Sequence, residues 1–165
     1  RAIAALHDTR PDLLFLHYGA VDAMGHAFDW GSRIQRWAVR NVDRSIGRTL
    51  LELEKMNREF VILLTADHGG NGVSHGQMNS SGQLQSPETD LVIPWIVYRA
   101  KGVAARPLKL RTPQDIVKVW DTAPSIAAIL DLEVPAAWNW DGINRLKIER
   151  EASKPSRDTP KPSAR

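Results

Sequence analysis

Phe60-Val61-Ile62-Leu63-Leu64-Thr65-Ala66-Asp67-His68-Gly69-Gly70 is the stretch on which the reading of this chain turns. An unbroken apolar run leads directly into an adjacent Asp–His pair and two glycines. A continuous run of this kind reads as a strand, here over 60–65. Polar groups at the carboxyl end of such a strand are where open α/β sheets place their functional side chains. Taken alone, however, a loop Asp–His pair is more often a turn or a surface ion pair. What the pair does depends on what the rest of the chain brings to it.

Working outward, the preceding element is a helix over about 33–56. Ser32 followed by Gln35 fits a capping box, and Ile34, Ala38, Val42, Ile46, Leu50 and Leu53 make one apolar stripe. Arg36, Arg40, Arg44 and Arg48 lie two residues out of step and read as a solvated face. Upstream, residues 1–9 end a helix that Pro11 breaks. Asp12 to Tyr18 reads as a further buried strand, and 19–31 as a loop rich in small and polar groups.

Downstream, a polar stretch over about 71–90 leads to an apolar strand from Leu91 to Tyr98. Pro94 gives that strand an edge or irregular position. Residues 99–113 read as loop and Ile116 to Trp120 as extended. Thr122 caps a short helix to about Leu130 that carries Pro124 in its first turn. From Lys147 the chain is polar and rich in Pro, Ser and Lys, a composition that predicts a disordered tail over 147–165. The order of strands and helices is an α/β pattern.

Composition narrows the field. The chain has 165 residues, 42% hydrophobic and 25% charged, which is enough for one globular domain. The net charge of +3 sits entirely in residues 147–165, where six basic residues face three acidic ones. The neutral body gives no reason to expect nucleic-acid binding, and the tail is too short and mixed in sign to argue for an acidic partner. No apolar run is long enough to span a bilayer. There are no cysteines, so disulfides and thiolate ligands are excluded while the compartment stays open. The chain starts with Arg1, not Met, so the lack of a targeting segment proves little.

Three of the five histidines, His26, His68 and His75, fall in the two loops that follow the predicted strands. Asp22 precedes His26 by four residues and Asp67 adjoins His68. Asp and His are the ligands zinc takes where no thiolate is present. Five such residues exceed what one catalytic ion needs and suit two ions, which in two-metal phosphatases lie roughly 4 Å apart. Each piece also has a plain reading: Asp22 and His26 as a helix cap and its neighbour, His75 as an ordinary loop residue. His7 reads as a surface residue and His17 as a packed side chain or hydrogen-bond partner of a ligand. Ser74 reads as a loop hydroxyl, Trp30 as packing or a wall of the substrate entry, and 77–88 as part of the lip of the site.

Together the motifs resemble one family. Asp22-Ala23-Met24-Gly25-His26 with Trp30-Gly31-Ser32 and Val42-Asp43-Arg44-Ser45-Ile46-Gly47 resembles the D-x-x-G-H segment of the alkaline phosphatase superfamily, in its type I phosphodiesterase/nucleotide pyrophosphatase branch. Thr65 to Gly70 with Ser74-His75-Gly76 resembles that family's D-H-G loop and last metal histidine. Asp121-Thr122-Ala123-Pro124-Ser125-Ile126 with Val134-Pro135 and Trp140-Asp141-Gly142 resembles its closing segment.

The resemblance covers about residues 10–145. It implies a mixed, mostly parallel sheet flanked by helices, of which this chain would carry only the C-terminal half, within residues 1–146. It also implies two divalent metal ions, zinc with Mn²⁺ as an alternative. Asp22, His26 and His75 would hold one ion, and Asp67 and His68 would supply two ligands of the second.

The activity implied is hydrolysis of phosphate esters, phosphodiesters or nucleotide pyrophosphates, through a phospho-enzyme intermediate and on a small-molecule substrate. The family's nucleophilic Thr or Ser and a further Asp ligand have no counterpart before Asp22, so no catalytic residue is assigned here. Mutases of the phosphoglycerate and phosphopentose kind, sulfatases and phosphoethanolamine transferases share the core fold and remain alternatives. The mutases' later histidine motif is not found in this sequence. A degenerate, non-catalytic metal-binding fragment is the reading from outside the enzyme class.

Overall fold

The long helix sets the frame of the computed structural model, which describes residues 2–56, 59–71, 75–78, 81, 84–85, 88–99, 109–110 and 116–147. Helix α1 (Ala2–Asp8) and helix α2 (Ala20–Phe28) both pack on helix α3 (Arg33–Lys55). Strand β1 (Val61–Thr65) follows. Two short strands, β2 (Gln77–Met78) and β3 (Leu84–Gln85), precede a single helical turn, α4 (Glu88–Leu91), and strand β4 (Trp95–Arg99). Strand β5 (Lys109–Leu110) pairs with strand β6 (Leu146–Lys147). Between them lie a 3₁₀ turn (Val119–Asp121), helix α5 (Thr122–Ile129) and a second 3₁₀ turn (Ala136–Trp138). No helix among the described residues is long and apolar enough to cross a membrane.

Helix α3 begins where its capping residues predict. The Ser32 hydroxyl accepts from the Gln35 N–H at 3.1 Å, and the Gln35 side chain reaches back to accept from the Gly31 N–H at 2.6 Å. The box is thus closed one residue before the cap, and two otherwise orphaned donors are satisfied. Ala38 and Leu53 from the predicted stripe are buried, and Val42, Ile46 and Leu50 half-buried. Ile34, at the helix start, stays exposed. All four outward arginines are exposed. Arg36 and Arg40, with Arg33 and Trp37, line a surface hollow of about 420 Å³ that carries no ligand-type residue.

The structure departs from the sequence reading in six places. Residues 12–18 form no strand, and Leu13, Phe15 and Leu16 are exposed. A strand needs a ladder partner to satisfy its backbone, and none of the described residues pairs with this segment. The strand pairs among the described residues are antiparallel. The longest joins β1 to β4, with Val61 opposite Arg99 and Thr65 opposite Trp95. The mostly parallel sheet expected from the resemblance is not seen among them.

Residues 20–28, read as loop, are helix α2, because their small and apolar residues recur at helical spacing and pack on α3. The strand expected from Leu91 starts only at Trp95, since Pro94 lacks the N–H a ladder needs. The extended reading of Ile116–Trp120 gives way to a 3₁₀ turn, which the Asp121 carboxylate closes by accepting from the Lys118 N–H at 3.0 Å. Helix α5 forms as expected, but Thr122 does not cap it. Its hydroxyl instead accepts from the Trp95 indole N–H at 3.1 Å, tying α5 to β4. The loop reading of 99–113 and the tail reading of 147–165 fall largely outside the described residues. Within them Lys109–Leu110 and Leu146–Lys147 are paired strands.

Candidate metal centre

Asp22 and His26 stand on one face of α2 because four residues make about one helical turn. The Asp22 Oδ1–His26 Nε2 distance is 3.4 Å. At the carboxyl end of β1 the chain turns through Ala66 and Asp67, and His68 comes to face the same carboxylate, its Nε2 3.9 Å from Asp22 Oδ1. His75 arrives from the following loop, with its Nε2 3.7 Å from Asp22 Oδ1 and 3.1 Å from His26 Nε2. The donor atoms of Asp22, His26 and His75 all lie within 4.8 Å of one another. Asp67 stands outside this group. Its Oδ1 accepts from the His68 N–H at 3.1 Å, its Oδ2 is 3.7 Å from His68 Nε2, and its side chain is exposed.

Two features fix the chemistry of these nitrogens. His68 Nδ1 is 2.7 Å from the Gly69 carbonyl oxygen. A carbonyl only accepts, so Nδ1 carries the proton and a neutral imidazole presents a bare Nε2 toward Asp22. Backbone bonds of this kind are how proteins orient metal-binding histidines. The two Nε2 atoms of His26 and His75 face each other, and both cannot donate into that contact. Asp22 Oδ1 is a buried acceptor with no hydrogen-bond partner among the described residues. A carboxylate oxygen with no hydrogen-bond donor among the described residues, beside three imidazole nitrogens, is an arrangement that a cation would satisfy.

Trp30 forms the wall. Asp29 and Gly31 both take positive φ, 72° and 78°, in the tight turn that links α2 to α3 and folds the indole back on the cluster. The ring meets His26 edge-on at 4.9 Å between centroids and His75 at 5.9 Å. It fits because Gly25 and Gly70 flank it. A Cβ on Gly25 would come within 2.7 Å of the indole, and one on Gly70 would overlap it outright. His68 stacks on His75 at 3.7 Å, so the imidazoles pack as one block.

Of the residues singled out from sequence, the fold thus gathers Asp22, His26, His75 and His68, and leaves the Asp67 carboxylate at the rim. His7 is exposed and pairs with Glu52 at 3.5 Å, while His17 is exposed in the segment before α2. Ser74 and much of 77–88 lie outside the described residues or their side chains do. Sequence reading missed Asp90, which is buried behind the cluster. Nothing in its polar surroundings marks it out.

The model of the type I phosphodiesterase/nucleotide pyrophosphatase family matches residues 1–148. The chain belongs to that family. Among curated proteins it is 32% identical over 136 residues to a 2,3-bisphosphoglycerate-independent phosphoglycerate mutase of Pseudomonas fluorescens, covering 82% of this chain and 24% of that protein. It is 29% identical over 149 residues to the protein of the same description from Cellvibrio japonicus, covering 90% and 26%. The chain therefore spans about a quarter of the length of these relatives. No solved structure matches at a significant level.

Proposed function

We propose that this chain supplies ligands to a divalent-metal centre that acts on small phosphate esters, and that the intact protein hydrolyses phosphodiester or nucleotide pyrophosphate bonds. The observation that carries this reading is the convergence of three imidazole Nε2 atoms on Asp22 Oδ1, which has no hydrogen-bond partner among the described residues. The donor set fits zinc, and Mn²⁺ as well. Asp22, His26 and His75 would hold one ion, and Asp67 with His68 would contribute to a second. Residues 1–146 would be the C-terminal part of the catalytic domain, with β1 one strand of a larger, mostly parallel sheet.

A bound ion there supplies Lewis acidity, which activates a hydroxyl nucleophile and offsets charge on the leaving oxygen. The chain's own residues do the rest. Gly69 holds the His68 tautomer, Trp30 closes one side against water, and the stacked imidazoles keep the donors aimed. No residue of this chain is assigned as nucleophile. A second reading, phosphoryl transfer within a phosphoglycerate, is favoured by the names of the relatives.

Metal analysis by mass spectrometry, beside an Asp22→Ala/His26→Ala variant, tests the centre. At least one zinc or manganese per wild-type chain, lost in the variant, is expected. A well-folded wild type without metal would break the reading. Hydrolysis of bis-p-nitrophenyl phosphate, measured alongside interconversion of 2- and 3-phosphoglycerate by ³¹P NMR, separates the two activities. Turnover of only the phosphoglycerate would replace the hydrolase reading with the mutase one.

A further inference from the structure

We propose that Asp90 is a positioning residue that holds the two ligand-bearing loops of the centre in register. This rests on the metal reading above for its functional meaning, but not for its geometry. Asp90 is buried, 5% exposed, on the single turn of α4. Its carboxylate Oδ2 accepts from the Gly76 N–H at 3.0 Å, directly after His75. Its backbone carbonyl accepts from the Gly69 N–H at 2.8 Å, directly after His68, and the neighbouring Thr89 carbonyl accepts from the Gly70 N–H at 3.1 Å.

One residue thus grips both loops, each at the position after a histidine. The approach is close: a Cβ on Gly69 would overlap the Thr89 carbonyl oxygen. Asp90 Oδ1 has no hydrogen-bond partner among the described residues. A clasp that served stability alone would gain by replacing a half-satisfied buried carboxylate. Its place behind the cluster fits a group that sets where His75 and His68 stand relative to Asp22. Outer groups that orient ligands commonly change metal affinity by roughly 10–100-fold when removed.

The test compares wild-type protein with Asp90→Ala and Asp90→Asn. Zinc affinity is read by chelator competition, and Gly69 and Gly76 amide exchange is read without metal. The expected result is slow exchange at both amides in the wild type, and loss of Gly76 protection in Asp90→Ala. Zinc binding in that variant should weaken on the order of 10-fold or more. Asn keeps an acceptor for the Gly76 N–H, so Asp90→Asn should recover most of both. Wild-type zinc affinity in Asp90→Ala overturns the proposal. If Asp90→Ala does not fold, fast Gly76 exchange in the folded wild type, or an Asp90→Asn protein that behaves as the wild type except for losing that protection, overturns it as well. A wild type that binds no zinc but shows the Asp90-dependent protection breaks the metal reading and leaves the clasp standing.

Discussion

Asp22 and Asp121 are both carboxylates on or beside a helix, and their surroundings are opposite. Asp121 is 2% exposed and both of its carboxylate oxygens accept hydrogen bonds. It accepts from the Ile143 N–H and the Lys118 N–H, each at 3.0 Å, and from Arg145 Nε at 2.7 Å. Ser125, also fully buried, accepts from the Arg145 N–H at 3.0 Å and completes the staple that binds the closing segment to α5. Asp22 sits half-exposed among imidazoles, and its Oδ1 has no hydrogen-bond partner among the described residues. A satisfied buried carboxylate is part of the fold. An unsatisfied carboxylate oxygen beside imidazole nitrogens is instead the arrangement on which the proposed metal centre rests.

The contrast makes Asp121 the more damaging residue to lose for stability and Asp22 the more damaging for metal. Asp121→Ala removes the carboxylate that pairs with half-buried Arg145 and strands two backbone donors. It should cost about 3 kcal/mol of unfolding free energy, measured by denaturant titration. The same group gives the protein an acid limit. Burial pushes the Asp121 carboxyl up, but the Ile143 and Lys118 N–H bonds and the Arg145 guanidinium outweigh it and hold the group below its ordinary 3.8. A carboxyl whose native value is depressed stabilises fully above its unfolded value, and that stability is lost as pH falls through the native one. The wild type should therefore lose stability as pH drops below about 3.8, while Asp121→Ala shows a flatter acid profile. A variant as acid-sensitive as the wild type would show that the staple does not set this limit.

Asp22→Ala should do the reverse. Zinc affinity should fall by about 100-fold, about 2.7 kcal/mol, with metal-free stability unchanged or raised, because an unpartnered acceptor has been removed. A marked loss of metal-free stability would mean that Asp22 is a structural group like Asp121, and the contrast would collapse.

The smallest of the three effects falls on the wall between cluster and fold. Gly70→Ala forces the Trp30 indole to move, and overpacking of this kind costs about 2 kcal/mol. Because the indole contacts His26 and His75, weaker zinc binding should accompany the stability loss. Stability loss alone would place Trp30 with the packing rather than with the site.

Much of the local architecture was legible in the chain. Ser32 with Gln35 marks the start of α3 because capping is chemistry between residues three apart. The run into Asp67-His68 marks β1 because a continuous apolar strand needs no partner to be recognised. Asp22 and His26 were visible as ligand types, yet their place on a helix was not, since a nine-residue helix with a glycine inside it depends on its packing against α3. Residues 12–18 show the opposite failure. Their pattern is that of a strand, but a strand exists only where a neighbour completes its ladder.

By itself the sequence determined which side chains are of cation-ligand type and the order in which they come, because side-chain chemistry and the spacing of a helical turn are local properties. Only the tertiary structure decided that His26, His68 and His75 meet at one carboxylate oxygen, that Trp30 closes their flank, and that Asp90 clasps both loops. Those contacts bring together residues of separate elements, where burial, close backbone approach and the partnering of buried polar groups fix the outcome.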